Sequence, residues 1–208
     1  MTERRLKKTV VYGLYGLAFI AIIAVIYILE VATTKGFKDD NTYVNKTIIE
    51  NDTPVVSTGE VIKRPYQEDG ISLIKNFYDY KSEEENQQNS LIYYDGTYLQ
   101  NSGVDYSKNG EVFEVVSIYD GTVSNVTENT VLGKTIEITH ENGVVSVYQS
   151  LSEVSVTINE VVNQGQVIGK SGVSNIDKDL QNHLHFELIV KGINVNPEIY
   201  YDKKLSEI

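Results

Sequence analysis

The chain contains no cysteine and no tryptophan, and only three prolines, three histidines and one methionine among its 208 residues. Without cysteine there is no disulfide, no thiolate nucleophile and no zinc site built on sulfur. Positive charge is also scarce. Eighteen Lys and Arg stand against 29 Asp and Glu, a net charge of -11. A surface of that sign repels phosphate, which argues against nucleic acid as a partner. The length allows about one domain plus an appendage. Tyrosine is plentiful, with 15 Tyr beside 5 Phe. Beyond the first fifty positions Tyr and β-branched residues dominate, which favours sheet over helix.

There is one long apolar run. Residues 1–8 are basic, and residues 9–29 then carry no charge at all. As a helix that run is about 32 Å long, enough for a hydrocarbon core of roughly 30 Å. The basic flank predicts a cytoplasmic N-terminus, with everything after Glu30 outside. The run is longer than a signal-peptide core and no Ala-x-Ala site follows it, so an uncleaved single-span anchor is expected. Residues 30–64 are polar and lack sustained periodicity, which reads as a stalk. Beyond residue 8, 14 basic residues face 28 acidic ones. An acidic exported part disfavours anionic lipids and polymers.

Residues 65–208 read as one all-β domain, an open barrel or sandwich of antiparallel sheet. Residues 71–80 and 90–99 are strand-like, the second with Asp95-Gly96 as a turn. A polar connection, 81–89, separates them. Short strands are then expected at 111–118, 122–126, 134–139, 144–149, 154–158, 166–169 and 183–190. Asn109-Gly110, Asn142-Gly143 and Lys191-Gly192 are among the turn pairs between them.

The chemistry-bearing stretch is 182–188, Asn-His-Leu-His-Phe-Glu-Leu. In a strand, His183 and His185 share one face. Imidazole is the commonest side chain to bind metal. The same pattern also suits a plain strand that exposes two histidines.

The order of motifs over residues 98–200 resembles the LytM or M23 family of zinc endopeptidases, which cut peptide cross-links in bacterial cell wall. Gly103-Val104-Asp105-Tyr106, Asp120-Gly121-Thr122-Val123, Tyr148-Gln149-Ser150-Leu151 and His183-Leu184-His185-Phe186-Glu187 carry the resemblance, with Asn196-Pro197-Glu198-Ile199-Tyr200 as the closing segment. The family binds zinc through a His four residues before an Asp and through the second His of His-x-His. Here Asp105 and His185 are in place, but the first position is Asn101. A further His of the family, in Tyr-x-His-Leu, is replaced by Ser150. An amide oxygen is a weak zinc ligand. Loss of an oxyanion-stabilising donor typically costs about 10²–10³ in rate. Ser150 is expected to be too short to act in its place. The resemblance therefore implies no metal and no cofactor, with Asn101, Asp105 and His185 a vestigial ligand set and His183 and Ser150 vestigial catalytic positions. His183 and His185 are expected to bond to Asp105 and Asn101. His140 belongs to the 141–143 turn and is expected at the surface.

An anchor, a stalk and an impaired LytM-like domain together resemble the stage II sporulation protein Q group of that family. Members sit in the forespore membrane of endospore-forming bacteria. They bind stage III sporulation protein AH across the intermembrane space, in a channel-like complex needed for engulfment and sporulation. The resemblance implies that partner, a higher-order ring assembly and at most weak contact with peptidoglycan. Two alternatives are a zinc-dependent peptidoglycan endopeptidase with an altered site and a LytM-like activator of a cell-wall amidase. Such activators usually carry a long coiled coil, and residues 30–64 show no heptads.

Overall fold

The computed structural model describes residues 61–208, within a compact unit of Val55–Ile208. The expected anchor and most of the expected stalk lie outside the described residues. Among the described residues no helix is long and apolar enough to cross a membrane.

Among the described residues twelve strands and one short α-helix, with four single 3-10 turns between or after them, follow in order. They are β1 (Ser72–Lys75), α1 (Glu84–Asn89), β2 (Leu91–Tyr94), β3 (Thr97–Gln100), β4 (Val104–Ser107), β5 (Glu114–Val116) and β6 (Gly121–Asn129). The rest are β7 (Gly133–Thr139), β8 (Val144–Val154), β9 (Val161–Val162), β10 (Val167–Ser171), β11 (Leu184–Val190) and β12 (Ile193–Val195). Ten strands form one antiparallel sheet in the order β1-β4-β11-β8-β7-β6-β9, with β12 beside β11 and β10 joining β5 to β8. β2 and β3 form a separate hairpin.

The expected all-β architecture is therefore present. Period-two alternation explains its core. On β11, Leu184, Phe186 and Leu188 are wholly buried, so His185 and Glu187 face the other way. On β4, Val104 and Tyr106 enter the core and Asp105 takes the opposite face. Tyr148 of β8 pairs with Phe186 across the ladder, and their rings lie 5.2 Å apart.

Several details depart from the reading of the sequence. The polar stretch 81–89 holds α1, a single exposed turn and a half with no buried residue. β8 runs on to Val154, and 154–158 forms no strand of its own. His140 is buried. The turn after it is real, with Asn142 and Gly143 both at positive φ. Ile136, Ile138 and His140 nonetheless continue one inward-facing alternation. His140 Nδ1 donates to the Asp120 carbonyl at 2.9 Å, and Nε2 lies 2.8 Å from Ser146 Oγ.

The fold takes up the chain before Pro65. Ile62 is wholly buried, its N–H donates to the Lys203 carbonyl, and Val61 bridges Lys204. Arg64 makes a two-pronged pair with Glu198 at 2.7 and 2.9 Å, and Tyr106 donates to the same carboxylate at 2.6 Å. The two ends of the domain are thus fastened to each other.

Candidate functional site

β4 and β11 are paired so that Asp105 lies opposite His185. Both side chains leave the sheet on the side away from the core. They line a cavity of about 240 Å³ with Gln149, Ser150 and His183. Ile92 and Leu99 of the β2–β3 hairpin form another part of its wall.

Ser150 reaches this cavity through a bulge. Lys134 pairs with Leu151 and Ile136 with Tyr148, so β8 carries one residue more than β7 between these pairs. Ser150 adopts φ 63 there. A bulge breaks the alternation and re-aims a side chain, so neighbours Gln149 and Ser150 both line the cavity. Ser150 Oγ lies 3.0 Å from His183 Nε2. His183 Nδ1–H donates to the Gln181 carbonyl at 2.9 Å, which leaves Nε2 as acceptor for the serine hydroxyl. The short serine thus does reach His183, because the bulge brings its backbone close.

Asn101 is almost fully buried just ahead of β4. Its side-chain amide donates to the Asn76 carbonyl at 3.0 Å and to Asp105 Oδ2 at 2.9 Å. Its backbone accepts from Tyr78 N–H and donates to the Ser90 carbonyl. His185 Nδ1 lies 3.1 Å from Asp105 Oδ1, and Nε2 lies 3.2 Å from Glu187 Oε1. Burial alone would lower the pKa of His185, but the two carboxylates outweigh it and raise the value to about 10. Burial pushes the Glu187 carboxyl up. Bonds from His185, Ser102 and Asn194 overcome that and hold it below its ordinary range.

The structure thus brings Asn101, Asp105, His183, His185 and Ser150 to one place. The expected bonding is half right. His185 is bonded to Asp105, whereas His183 is bonded to Ser150 and lies 4.0 Å from Asp105. Sequence reasoning gave no role to Glu187, although its position two residues after His185 puts it on the same face. It also missed the half-buried pair of Lys75 and Asp177, which joins β1 to the loop before β11. Their separation in sequence leaves no local signal for that contact.

Zinc does not fit this arrangement. His185 Nδ1 and Nε2 both lie within hydrogen-bond distance of carboxylate oxygens, so zinc would have to displace a proton held there. Asn101 turns its NH₂ group, and not its oxygen, towards Asp105. The reverse orientation would place Oδ1 against two oxygen acceptors, the Asn76 carbonyl and Asp105. Asn101 Oδ1 is instead buried without a hydrogen-bond partner. The donors that the family uses on a metal are here spent on one another.

Comparison with known proteins agrees with this fold. The profile of peptidase family M23 matches residues 99–197. Stage II sporulation protein Q of Bacillus subtilis (strain 168) is 37% identical over 171 residues, which span 82% of this chain and 57% of that protein. A chain in the solved SpoIIQ–SpoIIIAH pore-forming complex is 38% identical with a TM-score of 0.70, over 72% of this chain and 96% of that one. A zinc-containing peptidase from Vibrio cholerae shares the fold, with a TM-score of 0.52 at 22% identity over 66% of this chain and 39% of that one. The chain therefore belongs to the M23 peptidase family, in the group of stage II sporulation protein Q.

Proposed function

We propose that the chain is a non-catalytic member of its family that works by binding another protein. In this reading the apolar run 9–29 anchors it in the forespore membrane, with the N-terminus in the forespore cytoplasm. Residues 30–64 serve as stalk, and the β domain stands in the intermembrane space. There it binds stage III sporulation protein AH and builds a channel-like assembly. The observation that carries the reading is Asn101. An amide stands where the family needs an imidazole, and its hydrogens hold Asp105 in a closed protein network.

The chemistry follows from the residues present. Hydrolysis of a peptide needs an activated water and a donor for the developing oxyanion. Asp105 accepts from the Asn101 amide and is bonded to His185, and both nitrogens of His185 face carboxylate oxygens. Ser150 offers its hydroxyl to His183. None of these groups is free to take a proton from water beside a substrate carbonyl. Similarity to a chain solved in complex with SpoIIIAH supports the choice of partner.

The test pairs two measurements on the full chain. The extracellular domain of stage III sporulation protein AH should bind it in solution, and purified cell wall should stay intact in its presence. Wall digestion that disappears with Asp105→Ala would replace this reading with an altered-site endopeptidase.

A further inference from the structure

The segment 76–98 precedes the stretch matched to the peptidase family, which begins at residue 99. It forms a lobe of its own, made of the turn after β1, helix α1 and most of the β2–β3 hairpin. The hairpin belongs to no larger sheet. One face, with Ile92 and Leu99, turns to the cavity. The other presents Tyr93 and Tyr98, which pair across the strands with ring centroids 5.0 Å apart. These rings are 63% and 68% exposed, and Tyr80 on the same lobe is 72% exposed. Scattered exposed apolar residues need no explanation, but three large rings on one short segment do.

The charge on the lobe is mostly negative. Asp79, Glu83, Glu84, Glu85 and Asp95 face a single cation, Lys81. α1 buries no residue, so its carboxylates serve no packing role. Lys81 lies over the Tyr80 ring at 5.3 Å, which shows the kind of group that these rings attract. Carboxylates and exposed tyrosines carried on one short segment suit arginine and lysine side chains, which pair with the former and stack on the latter. They do not suit phosphate or anionic lipid.

The lobe is also held rigid. Gln87 donates to the carbonyls of Ser82 and Tyr80, and Tyr78 donates to Gln87. Lys75 reaches the Leu91 carbonyl, and Asn101 fastens Asn76, Tyr78 and Ser90. A surface fixed before binding loses little conformational freedom when a partner arrives.

We propose that the outer face of the β2–β3 hairpin, with Tyr93, Tyr98 and Tyr80 beside the acidic helix α1, is the docking surface for a basic segment of the partner protein. This rests on the partner reading given above. The Asn101 network then has a purpose unrelated to catalysis, which is to set the lobe on the sheet.

The test uses the full chain and the extracellular domain of stage III sporulation protein AH as probe. The Tyr93→Ser/Tyr98→Ser double variant and the Glu84→Lys/Glu85→Lys double variant should each weaken binding roughly tenfold or more. Ile158→Ser/Val161→Ser, exposed elsewhere on the domain, should bind as wild type. All of these positions are exposed, so folding should survive, and an unchanged melting temperature checks it. If wild type binds and both lobe variants bind equally well, the docking surface is refuted and the partner reading stands. If wild type does not bind, the partner reading fails and takes the docking surface with it. Loss of binding to a chitin oligosaccharide in the tyrosine variant, with partner binding intact, would assign the rings to glycan and overturn the proposal. A loss of self-association with partner binding intact would assign them to a second copy of the chain and overturn it equally.

Discussion

Asp105 accepts from Asn101 on one oxygen and from His185 on the other. It is nearly inaccessible to water. Removing it leaves a buried imidazolium and a buried amide short of a partner. Asp105→Ala should therefore destabilise the domain by about 3 kcal/mol, measured by denaturant unfolding. A second buried histidine acts in the opposite sense. Burial lowers the pKa of His140 to about 4, although its bond to the Asp120 carbonyl partly opposes the shift. The unfolded chain, with an ordinary value near 6.5, takes up a proton that the folded chain refuses. The contribution of His140 is thus fully present above pH 6.5. It is lost as the pH falls to about 4 and is constant below that, with a total of roughly 3 kcal/mol. Comparing the pH dependence of stability in wild type and His140→Asn isolates this step, which the variant should lack. The replacement of a ligand by Asn101 was legible from the resemblance to the zinc endopeptidases, which sets a His four residues before Asp105. Which way its amide turns was not, because that depends on Asn76, a distant residue whose carbonyl only the fold brings near.

Asp95 and Gly96 both have positive φ, 47° and 76°. A two-residue hairpin loop of that kind needs left-handed backbone at both positions. Gly96→Val should loosen the β2–β3 hairpin without unfolding the domain. Amide exchange should quicken over 91–100 and stay slow in β7 and β8. Turn pairs of this type were readable in the sequence, as was the alternation of β11. The bulge at Ser150 was not. It arises from a mismatch in count between β7 and β8, and strand pairing is a property of two segments that no single one reveals. β4 went unread as a strand because only four residues form it. α1 was hidden for the same reason of brevity, in a run too polar to show a helical stripe.

At the scale of the whole molecule, the domain closes by joining its first residues to its last. Ile62 and Leu205 both belong to the buried core cluster. A fragment that starts at Pro65, where composition alone suggests the domain opens, lacks this side chain. Ile62→Ala in the full chain should cost about 3 kcal/mol. A fragment starting at Val55 should melt well above one starting at Pro65. The fold class was legible because alternation and turn chemistry recur along the whole domain. The joining of its ends was not, since Arg64 and Glu198 lie 134 residues apart in the sequence.

The central claim is that this member of a zinc peptidase family has closed its metal site with its own hydrogen bonds. Elemental analysis of the purified full chain, after exposure to zinc and removal of the excess, tests it most directly. The account predicts far less than one zinc per chain, and no change on treatment with chelator. One zinc per chain, lost together with Asp105→Ala, would contradict it.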